Sequence, residues 1–374
     1  ALRIEDLLGR AQVETDLVAV RHLLEGRRVL VTGAGGSIGA EIARQVAACS
    51  PAHLVLLDHD ETHLHDVATT MSFPVVLDLA DIRDADRLSR ALVGHRPDIV
   101  FHAAAHKHVP ILEDYPDEAV RTNILGTDNL LDAAQRAGVS RFVLISTDKA
   151  VQPSSVMGAS KRMAEFLTVR AARETGLPYC AVRFGNVLGS RGSVVPTFMR
   201  QIEAGGPVTI TDARMTRYFM SIPEAVQLVL QAAALSSGGE VFMLDMGEPM
   251  RIIDLAKRMI RLSGRRVGTD IEIRVTGTRP GEKLEERLRC DDELPESTAH
   301  PSVIRLNPFV PDGDTLLAAI TTLAGLSAHE QREAVKHHLI GFTRHAQAMA
   351  GAAPPMQRTI DLESGEVTWT PSTT

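Results

Sequence analysis

A hydroxyl, an acid and an amine lie side by side in the segment Ser146-Thr147-Asp148-Lys149, which closes an apolar run. A second amine, Lys161, follows soon after, and Met157 stands four residues before it. A carboxyl group can give or take a proton and a neutral amine can take one, so the segment could perform general acid and base catalysis. The same residues could also be a surface ion pair and a core methionine beside a solvated lysine. The elements around them decide between these interpretations.

The composition indicates a globular protein with a sizeable core. The chain has 374 residues, 44% of them hydrophobic, and its longest apolar runs are strand-length, so we expect neither a transmembrane helix nor a secretory signal. We therefore expect a cytoplasmic protein with no membrane contact for the chain as given. The net charge of -7 and the dispersed basic residues argue against nucleic-acid binding. The cysteines Cys49, Cys180 and Cys290 are too far apart for a disulfide framework or a zinc site.

A group of histidines beside acids could mimic a metal site. His59, His63 and His65 stand close to Asp58 and Asp60 in the sequence. No ligand spacing recurs elsewhere, and proton transfer by a carboxyl and an amine needs no Lewis acid. We therefore expect a solvated loop here and no metal.

From Arg28 onward the chain alternates apolar runs with segments of helical periodicity. Segments such as 38–48 and 120–137 repeat apolar residues every three to four positions. This order predicts an α/β fold, a Rossmann-like doubly wound parallel sheet whose ligands bind beyond the carboxyl ends of the strands. The runs interpreted as strands are RVLVTG, HLVLLD, PVVLDL, DIVFHAA, RFVLIST and PYCAVRFGN.

After Asn186 the pattern changes to segments rich in glycine and proline, which predict a smaller substrate-binding lobe of short strands and one helix at 252–263. The tail is predicted to carry one helical region and a frayed end. The predicted divisions are an N-terminal lead-in helix at 1–26, a dinucleotide-binding domain at 27–186 with a helix at 213–237 packing back on it, the lobe at 187–212 and 238–295, and a C-terminal extension at 296–374.

The first apolar run leads into a loop with Gly33, Gly36 and Gly39 in a G-x-x-G-x-x-G spacing. Such glycines let the backbone approach a pyrophosphate, and amides at the start of the next helix favour its negative charge. Tight strand-to-helix turns also need glycine, so the triplet alone is weak evidence. Asp58 strengthens it, because an acid about 20 residues after the glycines binds ribose hydroxyls and repels a 2′-phosphate. The sequence therefore predicts NAD rather than NADP.

Other residues follow the strands at the same edge of the predicted sheet. Asp81 and Ile82, after the third strand, are predicted to flank the adenine. The small side chains of Ala103, Ala104 and Ala105, after the fourth strand, would let the cofactor pass. The full set of predicted cofactor contacts is Gly33, Gly36, Ser37, Ile38, Gly39, Asp58, Asp81, Ile82, Ala103, Ala104, Ala105, Asn123 and Lys161.

Together these blocks resemble the extended short-chain dehydrogenase/reductase superfamily, and within it the nucleotide-sugar 4,6-dehydratases of bacterial polysaccharide synthesis, typified by UDP-N-acetylglucosamine 4,6-dehydratase. The resemblance covers about Arg28 to Glu286. Met157 stands where a Tyr-x-x-x-Lys dehydrogenase has tyrosine, as in the branch whose long members carry N-terminal membrane helices. The chain is then a naturally soluble relative or the catalytic part of such a protein. The blocks are the glycine loop, Asp58, HAAAHKHVP, NILGT, STDKAV, MGASK, RFGNVLGSRGSVVP, MTRYFM and RPGEK.

The resemblance implies an NAD-dependent reaction on a UDP-N-acetylhexosamine, most simply UDP-N-acetylglucosamine, that yields the 4-keto-6-deoxy sugar. Oxidation of the 4-hydroxyl acidifies the hydrogen on carbon 5, and NAD is regenerated in each turnover. Lys149 is the candidate base for that hydrogen. Asp148 would first take the 4-hydroxyl proton and then protonate the departing 6-hydroxyl. Thr147 would bond the 4-oxygen, Met157 marks the missing phenol, and Lys161 would hold the nicotinamide ribose.

Polar residues on loops beyond the strands are candidates for binding the nucleotide and its diphosphate. Arginine matches a diphosphate through its forked donors. A carboxylate such as that of Glu282 can take the hydroxyls of the uridine ribose. The predicted substrate contacts are Lys107, Asn186, Arg191, Arg217, Arg279 and Glu282.

Three departures from the resemblance affect the edges of the pocket: His106 replaces a frequent tyrosine, Glu285 replaces an aromatic residue, and region 61–73 is short. Two alternatives stay open. A nucleotide-sugar 4-epimerase also oxidises carbon 4 but needs no acid and base for elimination, and a non-catalytic NAD-sensing regulator needs no catalytic groups. We expect a homo-oligomer paired through helices at 120–137 and 157–174, as in the superfamily.

Overall fold

The computed structural model describes residues 17–352, 356–360 and 367–371. Its strands are β1 (Arg28–Thr32), β2 (His53–Asp58), β3 (Val76–Leu79), β4 (Ile99–His102), β5 (Arg141–Ile145), β6 (Tyr179–Arg183), β7 (Asn186–Leu188), β8 (Val208–Ile210), β9 (Thr216–Arg217), β10 (Phe219–Ser221), β11 (Val241–Leu244), β12 (Met250–Arg251), β13 (Ile273–Val275), β14 (Pro295–Ser297), β15 (Val303–Leu306), β16 (Met356–Ile360) and β17 (Val367–Pro371). Its α-helices are α1 (Leu17–Leu24), α2 (Ser37–Ala47), α3 (Glu61–Thr69), α4 (Ala85–His95), α5 (Val109–Asp114), α6 (Pro116–Ala119), α7 (Gly126–Arg136), α8 (Val156–Thr175), α9 (Val194–Glu203), α10 (Ile222–Leu235), α11 (Ile252–Leu262), α12 (Gly313–Ala328) and α13 (Arg332–Ala352).

Among the described residues, nine strands form one sheet in the order β14-β15-β11-β6-β5-β4-β1-β2-β3. The pairs from β3 to β11 are parallel, while β15 pairs antiparallel with both β11 and β14. The six runs predicted as strands correspond to β1 to β6. The predicted α/β class with a Rossmann-like parallel sheet is therefore confirmed.

Alternation along the strands builds a separate apolar core on each face of the sheet. Leu30 of β1 joins the core beneath α4, α7 and α8, whereas its neighbours Val29 and Val31 join the core beneath α1, α2 and α10. Successive strand side chains point to opposite faces, so both faces need apolar residues and both need helices to cover them. This explains why the parallel strands read as continuous apolar runs.

The lobe after β6 has a third apolar core, formed by α9, α11 and the short strands β8 and β13. Helix α11 lies where the sequence predicts it, but α9 was not predicted, and it lies in a segment interpreted as glycine- and proline-rich. Its buried residues Val195, Phe198 and Ile202 are spaced by three and four positions, which is helical periodicity. The helical pattern of α9 was therefore present in the sequence, but it is short.

Three further elements differ from the sequence expectations. The segment predicted as one helix over 120–137 begins as a π-helical turn, Val120–Leu125, and continues as α7. The tail contains two helices, α12 and α13, rather than one helical region, and β14 and β15 extend the main sheet. Of the predicted lead-in helix, α1 is described, whereas residues 1–16 lie outside the described residues, as does part of the end predicted to fray.

The helices expected to pair between subunits are covered within the same chain. Helix α13 packs against α8, and α12 packs against the π-helical turn. Leu316, Leu323 and Leu339 of these tail helices belong to the same core as Phe166 of α8, and all four are fully buried or nearly so. Helix α13 thus occupies part of the surface of α8, one of the helices expected from the sequence to pair between subunits. The expected pairing between subunits stays a prediction.

Candidate functional site

The glycine loop between β1 and α2 leaves no room for side chains. Gly33 has a φ of +63°, and a Cβ there would lie 2.6 Å from the backbone nitrogen of Ala104. A Cβ on Gly39 would lie 2.1 Å from the carbonyl oxygen of Gly33. The loop can therefore form only with glycine at these two positions, and it brings bare backbone to the carboxyl edge of the sheet.

Asp58, at the end of β2, is bonded to the loop it was predicted to accompany. Its Oδ2 accepts the N–H of Gly35 at 2.8 Å, and its Oδ1 accepts the N–H of Asp60 at 3.0 Å and lies 3.3 Å from His59 Nδ1. The carboxylate thus holds the glycine loop closed while it lines the groove above. The sequence indicated the place of Asp58 in the groove but not its hydrogen bond to the glycine loop.

Two adjoining cavities form one groove along the carboxyl ends of β1, β2, β4 and β5. The first, about 350 Å³ and called here the adenosine cavity, contains Asp58, Asp81, Ile82, Ala104 and Arg191 in its lining. The second, about 500 Å³ and called the reactive cavity, brings together predicted residues from both ends of the domain. Its lining includes Ile38, Gly39, Thr147, Lys149, Met157, Lys161 and Asn186. Both are lined by Gly33, Gly36, Ser37, Ala103, Ala105 and Lys107.

The groove fits an extended dinucleotide. The bare glycine backbone lies where the two cavities meet, and small alanine side chains follow β4, so a ligand could lie flat across both. Amides at the start of α2 face this point, and such amides bind a pyrophosphate well. The donor set of this chain is therefore the one that a nicotinamide dinucleotide needs.

The turn at residues 147–149, called here the catalytic turn after the role predicted for it from the sequence, follows β5. Thr147 Oγ1 donates to Asp148 Oδ1 at 2.9 Å, and Lys149 Nζ lies 2.9 Å from the same oxygen and 3.1 Å from Asn186 Oδ1. Asp148 is 0% exposed, and its Oδ2 has no hydrogen-bond partner among the described residues. Thr147 and Lys149 line the reactive cavity, but Asp148 lies beneath it. The sequence indicated that Thr147, Asp148 and Lys149 lie together but did not indicate that Asp148 is buried.

Helix α8 carries Met157 and Lys161 to the lining of the reactive cavity. The helix starts where Ser155 Oγ accepts the N–H of Gly158, and a Cβ on Gly158 would lie only 2.2 Å from the carbonyl oxygen of Lys149. That glycine lets α8 pack directly on the catalytic turn. Burial lowers the pKa of Lys161 to about 8, and the nearby Glu165 opposes this shift.

Asn123, predicted as a cofactor contact, is instead used to hold protein segments together. Its Oδ1 accepts the N–H of His106 at 2.8 Å, and its Nδ2 donates to the carbonyl of His106 at 3.0 Å and to Ser160 Oγ at 2.9 Å. With its amide bonded on both sides and only 1% of the residue exposed, Asn123 positions the loop after β4 beside α8. This corrects its expected role.

His102 is a buried polar residue that the sequence reasoning missed. Its Nδ1 lies 2.8 Å from Thr32 Oγ1 and its Nε2 lies 3.0 Å from Thr127 Oγ1. Burial, together with the charge of Lys161, lowers the pKa of His102 to about 3, so the ring is neutral. Because Thr127 donates its own proton to the carbonyl of Asn123, Nε2 must carry the proton of the ring.

A third cavity of about 320 Å³, the nucleotide cavity, opens between the catalytic turn and the lobe. It brings together Asn186, Arg217, Arg279 and Glu282 of the predicted substrate contacts. Arg217 is 7% exposed and donates to the backbone carbonyls of Thr216, Lys283 and Leu284. These three hydrogen bonds hold the guanidinium of Arg217 in one position beside the cavity.

Arg191 and Lys107 lie elsewhere. Arg191 Nη2 donates to the carbonyl of Gly35 at 2.5 Å, which keeps this side chain at the glycine loop and away from Arg217 and Arg279. Lys107 Nζ donates to the carbonyl of Arg191 at 2.8 Å. Both residues line the adenosine cavity, Lys107 also lines the reactive cavity, and neither lines the nucleotide cavity with Arg217 and Arg279.

Two residues of the RPGEK region were not predicted. Lys283 Nζ donates to the carbonyl of Val151 at 2.7 Å, which ties the lobe to the segment just after the catalytic turn. Glu286 lines the nucleotide cavity and lies 3.5 Å from Lys283 Nζ and 4.0 Å from Arg217 Nη2. Their place directly after Glu282 in the sequence was a signal that they share its loop.

Neither a cluster of metal-ligating side chains nor a helix able to cross a bilayer is found among the described residues. Across 17–352, 356–360 and 367–371, no three or more histidine, cysteine, aspartate or glutamate side chains are arranged to hold a metal ion. None of the helices in those ranges has the length and apolar content that a bilayer crossing requires.

A family model described as "Polysaccharide biosynthesis protein" matches residues 29–308. The probable polysaccharide biosynthesis protein EpsC of Bacillus subtilis is 48% identical over 308 residues, 81% of this chain and 51% of EpsC. The capsular polysaccharide biosynthesis protein CapD of Staphylococcus aureus is 50% identical over 312 residues, 81% of this chain and 52% of CapD. The chain thus spans about half the length of these relatives. The UDP-glucose 4-epimerase of Rickettsia canadensis is 37% identical over 278 residues, 72% of this chain and 79% of that protein.

Solved structures share the fold. Pen from Bacillus thuringiensis superposes with a TM-score of 0.70 at 33% identity, over 77% of this chain and 89% of Pen. DesIV from Streptomyces venezuelae, a dTDP-glucose 4,6-dehydratase solved with NAD and TYD bound, gives a TM-score of 0.62 at 25% identity, over 70% of this chain and 88% of DesIV. The resemblance to extended short-chain dehydrogenases/reductases of the nucleotide-sugar dehydratase type is confirmed, and a nicotinamide cofactor is supported by the neighbours that contain one.

Proposed function

Because the chain belongs to the polysaccharide biosynthesis protein family, we propose that it is an NAD-dependent 4,6-dehydratase of a UDP-N-acetylhexosamine, most simply UDP-N-acetylglucosamine. One observation carries the proposal. A hydroxyl and an amine line the reactive cavity, each 2.9 Å from one oxygen of the buried acid beneath them, and the same cavity is lined by a methionine where a phenol would otherwise stand. Dehydration needs both an acid and a base, whereas oxidation alone does not.

NAD, when bound in the groove, would accept hydride from carbon 4 and return it to carbon 6. The residues of this chain handle the protons. Thr147 lines the cavity and donates to Asp148, so a sugar 4-hydroxyl can pass its proton to Thr147 while Thr147 passes its own to Asp148 Oδ1. The buried acid therefore works through the hydroxyl above it, without contacting the sugar, and no phenol is required.

Lys149 acts on carbon 5. Its neutral amine takes the carbon 5 proton after the 4-ketone forms and gives it back to carbon 5 after the hydride reaches carbon 6. Asp148 returns the proton it took from the 4-hydroxyl to the departing 6-hydroxyl, again through Thr147, and this proton leaves in the water. The protons balance, and both residues end as they began. Asn186, whose Oδ1 lies 3.1 Å from Lys149 Nζ, keeps the amine directed at the cavity.

The nucleotide cavity supplies the substrate contacts. Arg217 and Arg279 offer forked donors to the diphosphate, and Glu282 offers acceptors to the uridine ribose. Asn186 lines both the nucleotide and the reactive cavity, so one residue can fix where the sugar meets the diphosphate. This continuity supports a sugar nucleotide as substrate rather than a free sugar.

The test is incubation of the purified chain with a panel of UDP-hexoses, followed by mass spectrometry. A product lighter by one water supports the proposal. A UDP-glucose 4-epimerase among the relatives favours 4-epimerisation as the second candidate, and a product of unchanged mass with inverted carbon 4 would establish it. Bound NAD with no turnover of any UDP-hexose would instead favour a regulator. Cytoplasmic location and homo-oligomeric assembly stay predictions.

A further inference from the structure

Residues 189–193, called here the strap, join β7 to α9 and cross the dinucleotide groove. Gly189 and Gly192 have φ values of +78° and +71°, which let the chain turn sharply at both ends of the strap. A Cβ on Gly192 would lie 2.7 Å from His108 Cε1, so the strap presses directly on the loop after β4.

Arg191 anchors the strap at three points. Its backbone N–H donates to Ser37 Oγ at 3.1 Å, its Nη2 donates to the carbonyl of Gly35 at 2.5 Å, and its own carbonyl accepts from Lys107 Nζ at 2.8 Å. Gly35 belongs to the glycine loop, Ser37 begins α2, and Lys107 lies in the loop after β4. The strap is thus bonded to the segments on both sides of the groove.

The anchor lies where a pyrophosphate would be held. Arg191 lines the adenosine cavity, and Gly192 lines the adenosine, reactive and nucleotide cavities. Burial and, after it, the charge of Arg191 lower the pKa of Lys107, whose Nζ is bonded to the backbone of Arg191, so two cations lie close together at this part of the groove. An anion between them would relieve their repulsion.

We propose that the strap, through Arg191, encloses the cofactor as a permanently bound group, so that NAD leaves only when Arg191 releases Gly35 and Ser37. The inference rests on the proposed function, because a reaction that regenerates its NAD in every turnover needs no cofactor exchange. It goes beyond that function by assigning retention of the cofactor to a residue that touches neither the sugar nor the catalytic turn.

The experiment measures the release of bound NAD from the purified full chain into an excess of the fluorescent analogue etheno-NAD. Arg191→Ala should exchange at least tenfold faster than the parent, which corresponds to about 1.4 kcal/mol. Gly192→Ala, which places a Cβ 2.7 Å from His108 Cε1 at a residue with a φ of +71°, should also exchange faster. The control is Arg214→Ala, which removes an arginine whose side chain is 75% exposed and pairs with Asp212 in the lobe. It should exchange at the parental rate.

Equal exchange rates for the parent, Arg191→Ala and Gly192→Ala would overturn the proposed role of the strap in retaining NAD. A parent protein that holds no NAD would also overturn it. The measurement contains no sugar, so it is independent of the reaction catalysed. A parent that retains NAD behind a functioning strap but turns over no UDP-hexose would overturn the proposed function and leave the inference standing.

Discussion

Lys149→Met removes the proposed base and keeps a side chain of similar length. The amine that is lost lies 2.9 Å from Asp148 Oδ1 and 3.1 Å from Asn186 Oδ1, and its side chain is 20% exposed. Neither the glycine loop nor Arg217 contacts it through a hydrogen bond recorded in the described residues. We therefore expect binding of the proposed NAD and UDP-sugar to remain near the parental level.

Elimination and stability should respond by different amounts. A positioned general base contributes about 10²–10⁴ in rate, so elimination should fall at least a hundredfold, about 2.7 kcal/mol in the barrier. The fully buried Asp148 carboxylate also loses the amine that lies 2.9 Å from its Oδ1, and an uncompensated buried charge costs about 3–5 kcal/mol of folding free energy. Adding Asp148→Asn to Lys149→Met removes that charge. The double variant should regain stability but not elimination.

Deuterium incorporation at carbon 5 from heavy water is the assay, because exchange requires both the 4-ketone and the base. Urea unfolding gives the free energies of the parent, the two single variants and the double variant. Asp148→Asn alone should slow turnover as much as Lys149→Met, since it removes the acceptor at the end of the Thr147 relay. If Lys149→Met still exchanged carbon 5 and formed product near the parental rate, the assignment of Lys149 would fail. A double variant less stable than Lys149→Met would refute the argument from buried charge.

The remaining predictions concern the cofactor, pH and the tail. Protein denatured after purification should release NAD(H); dominant NADP(H) would remove Asp58 from its proposed role. Turnover should fall as pH rises through about 8, because the lowered pKa of Lys161 lets its ammonium lose the proton proposed to hold the ribose. Lys161→Arg, whose side chain stays charged, should not show this fall in turnover. A parental turnover that stays constant well above pH 8 would contradict the assignment. Leu323→Ala, at a fully buried position of α12, should lower the free energy of unfolding by about 2–5 kcal/mol, whereas Leu317→Ala, 54% exposed on the same helix, should change it little. Equal urea midpoints for these two variants would show that α12 adds nothing to the core.

Local patterns in the sequence were enough to predict the sheet and its loops. Strands buried on both faces require continuous apolar runs, and a backbone that approaches a ligand closely requires glycine, so both leave marks within about ten residues. The catalytic turn was predictable for the same reason, because Thr147, Asp148 and Lys149 are neighbours in the chain. The antiparallel strands β14 and β15 were not predictable, because strands of three or four residues near a sheet edge are too short to show a distinctive pattern of apolar residues.

Contacts between distant segments could not be inferred from local patterns. Arg191 and Gly35 are 156 positions apart, and nothing near Arg191 distinguishes an arginine that binds a diphosphate from one that bonds a glycine loop. The burial of Asp148 is equally non-local, because the residues that cover it, Gly185 and Tyr218, come from after β6 and from between β9 and β10. Such roles depend on where loops meet, which the fold decides as a whole.

A buried ionic cluster explains how the acid can stay in place beneath the cavity. Ser146, directly before the catalytic turn, donates to Glu165 Oε1 at 2.6 Å, and Arg183 donates to Glu165 at 2.7 Å and to Glu293 at 2.7 Å. Arg162 joins Glu165 and Glu293 at 3.0 and 2.9 Å, so two cations and two anions satisfy one another. A buried pair holds its geometry only when its charges are fully matched, and here they are. The cluster therefore joins β5, β6, α8 and the segment before β14 in one rigid frame. That frame fixes the depth of the turn that follows Ser146, so the hydroxyl above the acid, rather than the acid itself, faces the cavity.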